Sequence, residues 1–245
     1  MKLMLNHPSE MKTLLAFGAH PDDIEFGCGG VVALETRAGR PAHLVVCSRG
    51  ESASHGTPEQ RMLEAERGAA QLGATIEFVE LDGDAHLEIR AAHAICLAGV
   101  LRRVRPGIVL APSLSENQHP DHSRLGRLVR DAARLARYGG VEELRGAPAH
   151  AIDQLLYYAL TPESEPRDMT AVLVDVSAPE VVSSWTAAME SHASQTQARN
   201  YVEIQLMRAR LNGQLGGVGH AIALFPNDPP VIGSLAQLGE RSRRF

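Results

Sequence analysis

Near-continuous apolar runs alternate along the chain with stretches whose apolar residues recur every three or four positions. "TLLAFG" (13–18), "HLVVC" (43–47), "IEFVEL" (76–81) and "GIVLA" (107–111) are such runs, and "QLLYYAL" (154–160) and "AVLVDV" (171–176) continue the series. Strands that are apolar on both faces suit a parallel sheet, because helices cover it on each side. The periodic stretches carry helix punctuation. Thr57 reads as an N-cap, with Pro58 at the first helical position and Gln60 three residues on. Met62, Ala65, Ala69 and Leu72 follow at helical spacing, and Gly73 stops the helix. A second helix is predicted with Ile89, His93, Cys96, Val100 and Val104 on one face, ending before Pro106. A third gathers Leu125, Leu128, Val129, Ala132 and Leu135 and ends at Gly139–Gly140. From about 180 to 212 runs a long, weakly apolar helical stretch, followed by the glycine-rich "NGQLGGVGH".

Strand, helix, strand, helix predicts an α/β fold: a Rossmann-like, doubly wound, mostly parallel sheet with helices on both faces. Neither an internal repeat nor a low-complexity linker divides the chain. Residues 12–245 are therefore expected to form one domain with a C-terminal elaboration from about 180, preceded by a loose tail at 1–11.

Composition narrows the function classes. The 245 residues are 44% hydrophobic and 22% charged, ordinary for a chain that buries a core. A net charge of -5 and a pI near 6.1 argue against a nucleic-acid partner, which calls for a basic face. Cys28, Cys47 and Cys96 are widely spaced without a CxxC pair, which excludes a disulfide framework and fits a reducing cytoplasm. No apolar stretch is long enough to span a bilayer, so no membrane partner is expected, and the start is too short and too polar for a secretory signal.

Two short segments carry the candidate chemistry. "GAHPDDIEFGCGG" (18–30) follows the first apolar run and sets His20, Asp22, Asp23 and Glu25 side by side. Crowded carboxylates repel unless a cation sits among them. "QHPDH" (118–122) follows the fourth run. In a parallel sheet the C-terminal strand ends share one edge, where open α/β folds bind ligands, so both segments belong to that edge. Two imidazoles and one carboxylate make a metal site with an open position, suited to zinc or Fe(II) better than to magnesium or calcium. A further carboxylate beside the metal's water is a general base. Either segment alone reads more readily as a capped helix start than as a metal site; the pair at one edge favours the metal.

Other residues read more plainly. Cys28 fits a small buried residue beside tight glycines, and "GCGG" lacks the spacing of a phosphate loop. His55 and His86 fit solvated loops, and His93 a satisfied core or interface position. Arg102, Arg103 and Arg105 suit the dipole at a helix end. Asp82 and Asp84, after the third strand, are within reach of a ligand at the same edge.

"AHPDD" and "HPDH", together with "SRGESASHGT", "EQRMLEAE" and "SHASQ" (191–195), resemble the LmbE-like, PIG-L-type de-N-acetylases over roughly residues 12–235. Among these the chain is most similar to the bacterial enzymes that deacetylate N-acetylglucosaminyl-malate in bacillithiol synthesis, and to chitobiose-type sugar deacetylases. The resemblance implies zinc held by His20, Asp23 and His122, with Asp22 as general base. It implies His119 as the residue that stabilises the oxyanion or protonates the leaving amine. Arg61 falls where relatives contact substrate, and His192 near the mouth of the site, where relatives carry tyrosine or histidine. Asp84 is a further candidate for the sugar. The chain departs from the bacillithiol-type ending "YAEGF", reading "GHAIALF" with His220 and Ile222 in place of the tyrosine and glutamate, which touches the substrate rim rather than the metal.

The expected activity is zinc-dependent hydrolysis of the acetamide of an N-acetylglucosamine conjugate. The expected partners are that small molecule and further copies of the chain, since relatives are commonly oligomeric. Two alternatives remain: a metal-dependent phosphoesterase, which commonly needs two metals and more ligands than are evident here, and a nucleotide-binding module without turnover, against which the missing glycine fingerprint counts.

Overall fold

The six apolar runs all become strands in the computed structural model, which describes residues 11–116, 119–196 and 200–234. The tail at 1–10, the last eleven residues and Gln118 of the second motif lie outside the described residues. The strands are β1 (Leu14–Gly18), β2 (Ala42–Val46), β3 (Thr75–Phe78), β4 (Ile108–Pro112), β5 (Gln154–Tyr158) and β6 (Val172–Asp175). A seventh, β7 (Ala221–Pro226), arises from "AIALFP", within the segment singled out only for its departure from the family ending. The helices are α1 (Asp23–Arg37), α2 (Pro58–Gln71), α3 (Ala91–Val104), α4 (Pro120–Ala136), α5 (Pro179–Glu190), α6 (Ala193–Thr196) and α7 (Tyr201–Gly216).

The sheet runs β3-β2-β1-β4-β5-β7-β6, with parallel pairing from β3 to β5 and antiparallel pairing of β7 to both neighbours. The chain winds one way from β1 to β3 and the other from β4, so the reversal falls between β1 and β4. That is the crevice where doubly wound sheets bind ligands. Alternate residues of one strand enter opposite layers. Leu15 and Phe17 pack in the core that includes α3 and α4 residues, and Leu14 and Ala16 in the one with α1 and α5 residues. "GCGG" is a packing device: a Cβ on Gly29 would stand 2.8 Å from Trp185 Cδ1, and one on Gly30 2.8 Å from Ile222 Cδ1.

The Thr57 cap forms, its side chain accepting from Gln60 N at 3.2 Å. Two helix expectations need correction. α3 buries Ala94, Leu97, Ala98 and Leu101 together with Val100 of the expected stripe, leaving Cys96 at the surface, and Ile89, 47% exposed, lies before the helix begins. The helix is apolar on more than one side, and packing against α4 selects the stripe. The expected long helix after 180 is broken at 191–192, and α7 starts afresh at Tyr201, capped by the Asn200 side chain, which accepts from Glu203 N.

Arg102 is a structural residue with more than a dipole role. Only 2% exposed, it donates to the carbonyls of Ala136, Tyr138, Leu144 and Ala147, tying the end of α4 and the following turn to α3. Arg102→Ala removes four hydrogen bonds, two of them buried, and a loss of about 3 kcal/mol is expected. Urea unfolding of the variant checks this, and an unchanged midpoint would contradict it. Among the described residues no helix is long and apolar enough to cross a membrane.

Candidate metal centre

β1 and β4 pair directly, Leu14 against Ile108 and Ala16 against Leu110, so both polar segments leave the sheet at the same edge. The turn after β1 places His20 and ends in α1, with Asp23 as its first helical residue. Asp23 Oδ2 accepts from Ala19 N at 2.8 Å and His20 N at 2.9 Å, which fixes the carboxylate. Its Oδ1 faces His122 Nε2 at 3.1 Å, and His20 Nδ1 lies 3.5 Å from Oδ2. α4 begins beyond β4 with His119 as its N-cap, whose Nδ1 accepts from Asp121 N at 3.4 Å. The His20 ring stands edge-on to both other imidazoles, with centroids 4.3 Å from His119 and 5.2 Å from His122.

Among the described residues two overlapping groups could hold an ion: His20, Asp23 and His122, and His20, Asp84, His119 and Asp121. His20 belongs to both because its nitrogens face opposite ways. Nδ1 looks toward Asp23, while Nε2 lies 3.1 Å from Asp84 Oδ1 and 3.5 Å from Asp121 Oδ2. A ligating histidine normally gives its second ring N–H to a carboxylate; with His20, Asp23 and His122 as the ligand set, Asp84 and Asp121 face His20 from behind. His20 Nε2 and Asp121 Oδ1 are buried without a hydrogen-bond partner. Three carboxylates and three imidazoles converging on such polar atoms fit a cation.

The charges are strongly coupled. Burial works to raise Asp23, but His122 and His20 outweigh it and hold the carboxyl well below the usual range. Burial works to lower His20, but Asp23, Asp121 and Asp84 keep its pKa well above the ordinary value, so in the absence of a metal a proton supplies the cation. Asp22 behaves differently. Burial pushes its carboxyl up to about 6, Arg61 pulls against that, and Asp23 adds to it. Its side chain keeps 17% exposure, against 4% for Asp23 and 1% for Asp121. Asp22 also holds φ at 125°, a region costly for a residue with a Cβ. Such strain persists where surrounding contacts enforce it, and here Arg61 grips the carboxylate at 3.2 Å.

Residues 15–133 match the PIG-L family of GlcNAc-PI de-N-acetylases. A conserved protein of solved structure from Thermus thermophilus is 30% identical, with a TM-score of 0.79 over 91% of this chain and 97% of that one. The chain belongs to the PIG-L family. Diacetylchitobiose deacetylase from Thermococcus kodakarensis is 29% identical over 206 residues, 78% of this chain and 73% of that protein. The 4-oxalmesaconate hydratase of Pseudomonas putida is 32% identical over 158 residues, 58% of this chain, and that match spans only 61% of the hydratase.

Within this PIG-L protein the expected site residues separate by position. His20, Asp23, His122, Asp22 and His119 gather at the β1–β4 edge. The three residues expected to touch substrate are placed more deeply. Arg61 is 4% exposed and donates to Asp22, Pro21 O at 2.9 Å and Gly50 O at 3.1 Å. Asp84, also 4% exposed, lies between His20 and His119, whose Nε2 is 3.4 Å from Asp84 Oδ1. His192 is 0% exposed and meets Glu25 at 3.4 Å instead of the site's mouth, because Glu25 turns inward from α1 against Gly68. Burial works to lower the His192 pKa, and Glu25 more than reverses it. Asp121 joins the site as well, and its central place in "HPDH" is the signal in the sequence that points to it. Ile222 is a core residue of β7, 6% exposed.

Arg61→Lys removes the forked grip on Asp22, which an ammonium cannot reproduce. Turnover is expected to fall at least tenfold with metal content unchanged. A raised KM with unaltered kcat would instead mark the guanidinium as a substrate contact.

Proposed function

We propose that this PIG-L protein hydrolyses the acetamide of an N-acetylglucosamine conjugate, releasing acetate and a free amino sugar, with zinc as its metal and Fe(II) as a competent substitute. The carrying observation is the division of labour between neighbours. Asp23 has one oxygen fixed by the backbone and the other aimed at His122, while Asp22 stays outside that set, held by Arg61.

His20, Asp23 and His122 would hold the metal, which when bound supplies a Lewis acid and an acidified water. Asp22 takes the water's proton as the new C–O bond forms. His119, 33% exposed at the tip of α4, faces the oxyanion. With Nδ1 accepting from Asp121 N, its Nε2 carries the hydrogen and donates it as a hydrogen bond to the oxyanion, while the proton held by Asp22 passes to the leaving amine as the C–N bond breaks. Asp84 and Asp121 hold the imidazoles in place. Three free cysteines suit a cytoplasmic setting.

A second reading has a specific support, the hydratase relative. The same base and water could add to an electron-poor C=C bond of a dicarboxylate instead of an amide. One assay separates them. Metal-stripped protein reconstituted with zinc is offered N-acetylglucosamine conjugates, phosphate esters and a conjugated enol dicarboxylate. The proposal expects zinc-dependent acetate release from the first group. Loss of the dicarboxylate's ultraviolet absorbance without acetate release would overturn it in favour of hydration, and phosphate release in favour of a phosphoesterase.

A further inference from the structure

A cavity of about 300 Å³ lies at the sheet edge opposite the metal centre, between the C-terminal half of α4, the start of β5 and the residues after β7. That volume falls at the lower end of the range for small-molecule sites, about 300–1,000 Å³. By the helix rise, about 18 Å separates His122 at the metal centre from Arg134 in the cavity wall. Arg130, Arg134 and Arg137 line the cavity together. Residues four and three apart share one helix face, and like charges at that spacing repel. Beyond its first turn α4 carries one acid, Asp131. Its Oδ1 stands 3.8 Å from Arg130 Nε and 3.7 Å from Arg134 Nη1, too far to hydrogen-bond either. Arg130 Nε is buried without a hydrogen-bond partner. Among the described residues Arg137 has no ion pair, only the Tyr138 ring 5.7 Å away. The dipole of α4 favours cations in its last turn, but Arg130 lies further in. The far wall is polar, and its acids are already engaged. Asp153 accepts from Lys12 Nζ on both oxygens at 2.8 Å, and Asp228 from Asn227 Nδ2 at 2.8 Å.

We infer that this cavity binds a phosphate monoester of a polyhydroxylated molecule, a sugar phosphate in chemical class. The guanidiniums of one wall are planar forks that grip phosphate oxygens in pairs. The carboxylates and the Gln154 amide of the other wall keep lone pairs for sugar hydroxyls. The same carboxylates repel a chain of many negative charges. An acidic peptide or a nucleic acid therefore suits the cavity less well than a small molecule with one charged end. The inference stands apart from the chemistry of the metal centre.

Isothermal titration calorimetry of the full chain at low ionic strength tests it, with glucose 6-phosphate, ribose 5-phosphate, inorganic phosphate and glucose as probes. At least one sugar phosphate is expected to bind once per chain with a Kd below about 1 mM, whether zinc is loaded or stripped. Inorganic phosphate is expected to bind roughly tenfold more weakly, and glucose not at all. Arg130→Gln/Arg134→Gln is expected to raise Kd roughly tenfold or more with an unchanged circular dichroism spectrum. Arg137→Gln, a single change at an exposed position, is expected to raise it roughly threefold or more. Arg145→Gln, 67% exposed and outside the cavity, is expected to keep the wild-type Kd. Absence of binding by both sugar phosphates at about 10 mM would overturn the inference. So would a Kd that neither cavity variant changes, or binding that vanishes with the zinc, which would assign the anion to the metal centre. Inorganic phosphate bound as tightly as the sugar phosphates would overturn the sugar assignment.

Discussion

Asp22→Asn is expected to leave metal content at the wild-type level and to cut kcat by roughly 10²–10⁴-fold, the usual worth of a positioned general base. The amide keeps the size of the carboxylate and can still accept from Arg61, but it takes up no proton near neutral pH. The strained backbone at Asp22 is fixed by the turn, by the helix bond from Phe26 N to Asp22 O at 3.0 Å and by Arg61, whose donation the amide oxygen still accepts. Folding and metal loading should therefore survive. Steady-state kinetics beside elemental analysis of the same preparation decide the matter. A variant that loses its metal, or that turns over at the wild-type rate, would show that Asp22 is not the base.

The other large effect belongs to the metal ligands. His122→Ala and Asp23→Ala are each expected to lower metal affinity by at least 10²-fold, and activity with it, since each removes one of three protein ligands from an open site. Asp23→Asn is more informative. The oxygen of the substituted amide would stay in the place of Oδ2, where Ala19 N and His20 N donate, and that turns the NH2 toward His122. A donor would then face the metal position. Excess zinc should restore part of the activity of Asp23→Asn and none of that of Asp22→Asn. Full metal occupancy in dialysed His122→Ala would remove that residue from the centre.

How far such roles can be read from sequence depends on whether they are local. β1 to β5 are legible because each is a short apolar run, and the parallel wind then dictates that the segments after β1 and β4 share an edge. β7 obeys the same pattern, bounded by Gly219 and ending at Pro226. No local signal, however, tells that a strand sixty residues after β5 inserts between β5 and β6. The stripe that α3 buries is likewise set by α4 rather than by its own spacing. At the site, the ligating types and Asp22 are visible in "HPDD" and "HPDH". The depth of Arg61, Asp84 and His192 is not. Arg61 lies beneath the 18–25 turn because Gly50 O and Pro21 O need donors there, and Glu25 draws His192 inward. Both are long-range facts of packing.

The central claim is that one metal sits with His20, Asp23 and His122, leaving Asp22 free to act on water and Asp84 and Asp121 behind the imidazoles. An anomalous difference map from zinc-loaded crystals, measured at the zinc edge, tests it most directly. The account predicts a single peak at about 2.0–2.2 Å from a ring nitrogen of His20, a ring nitrogen of His122 and Oδ1 of Asp23. A peak enclosed instead by Asp84, His119 and Asp121, or one bound by Asp22, would contradict it.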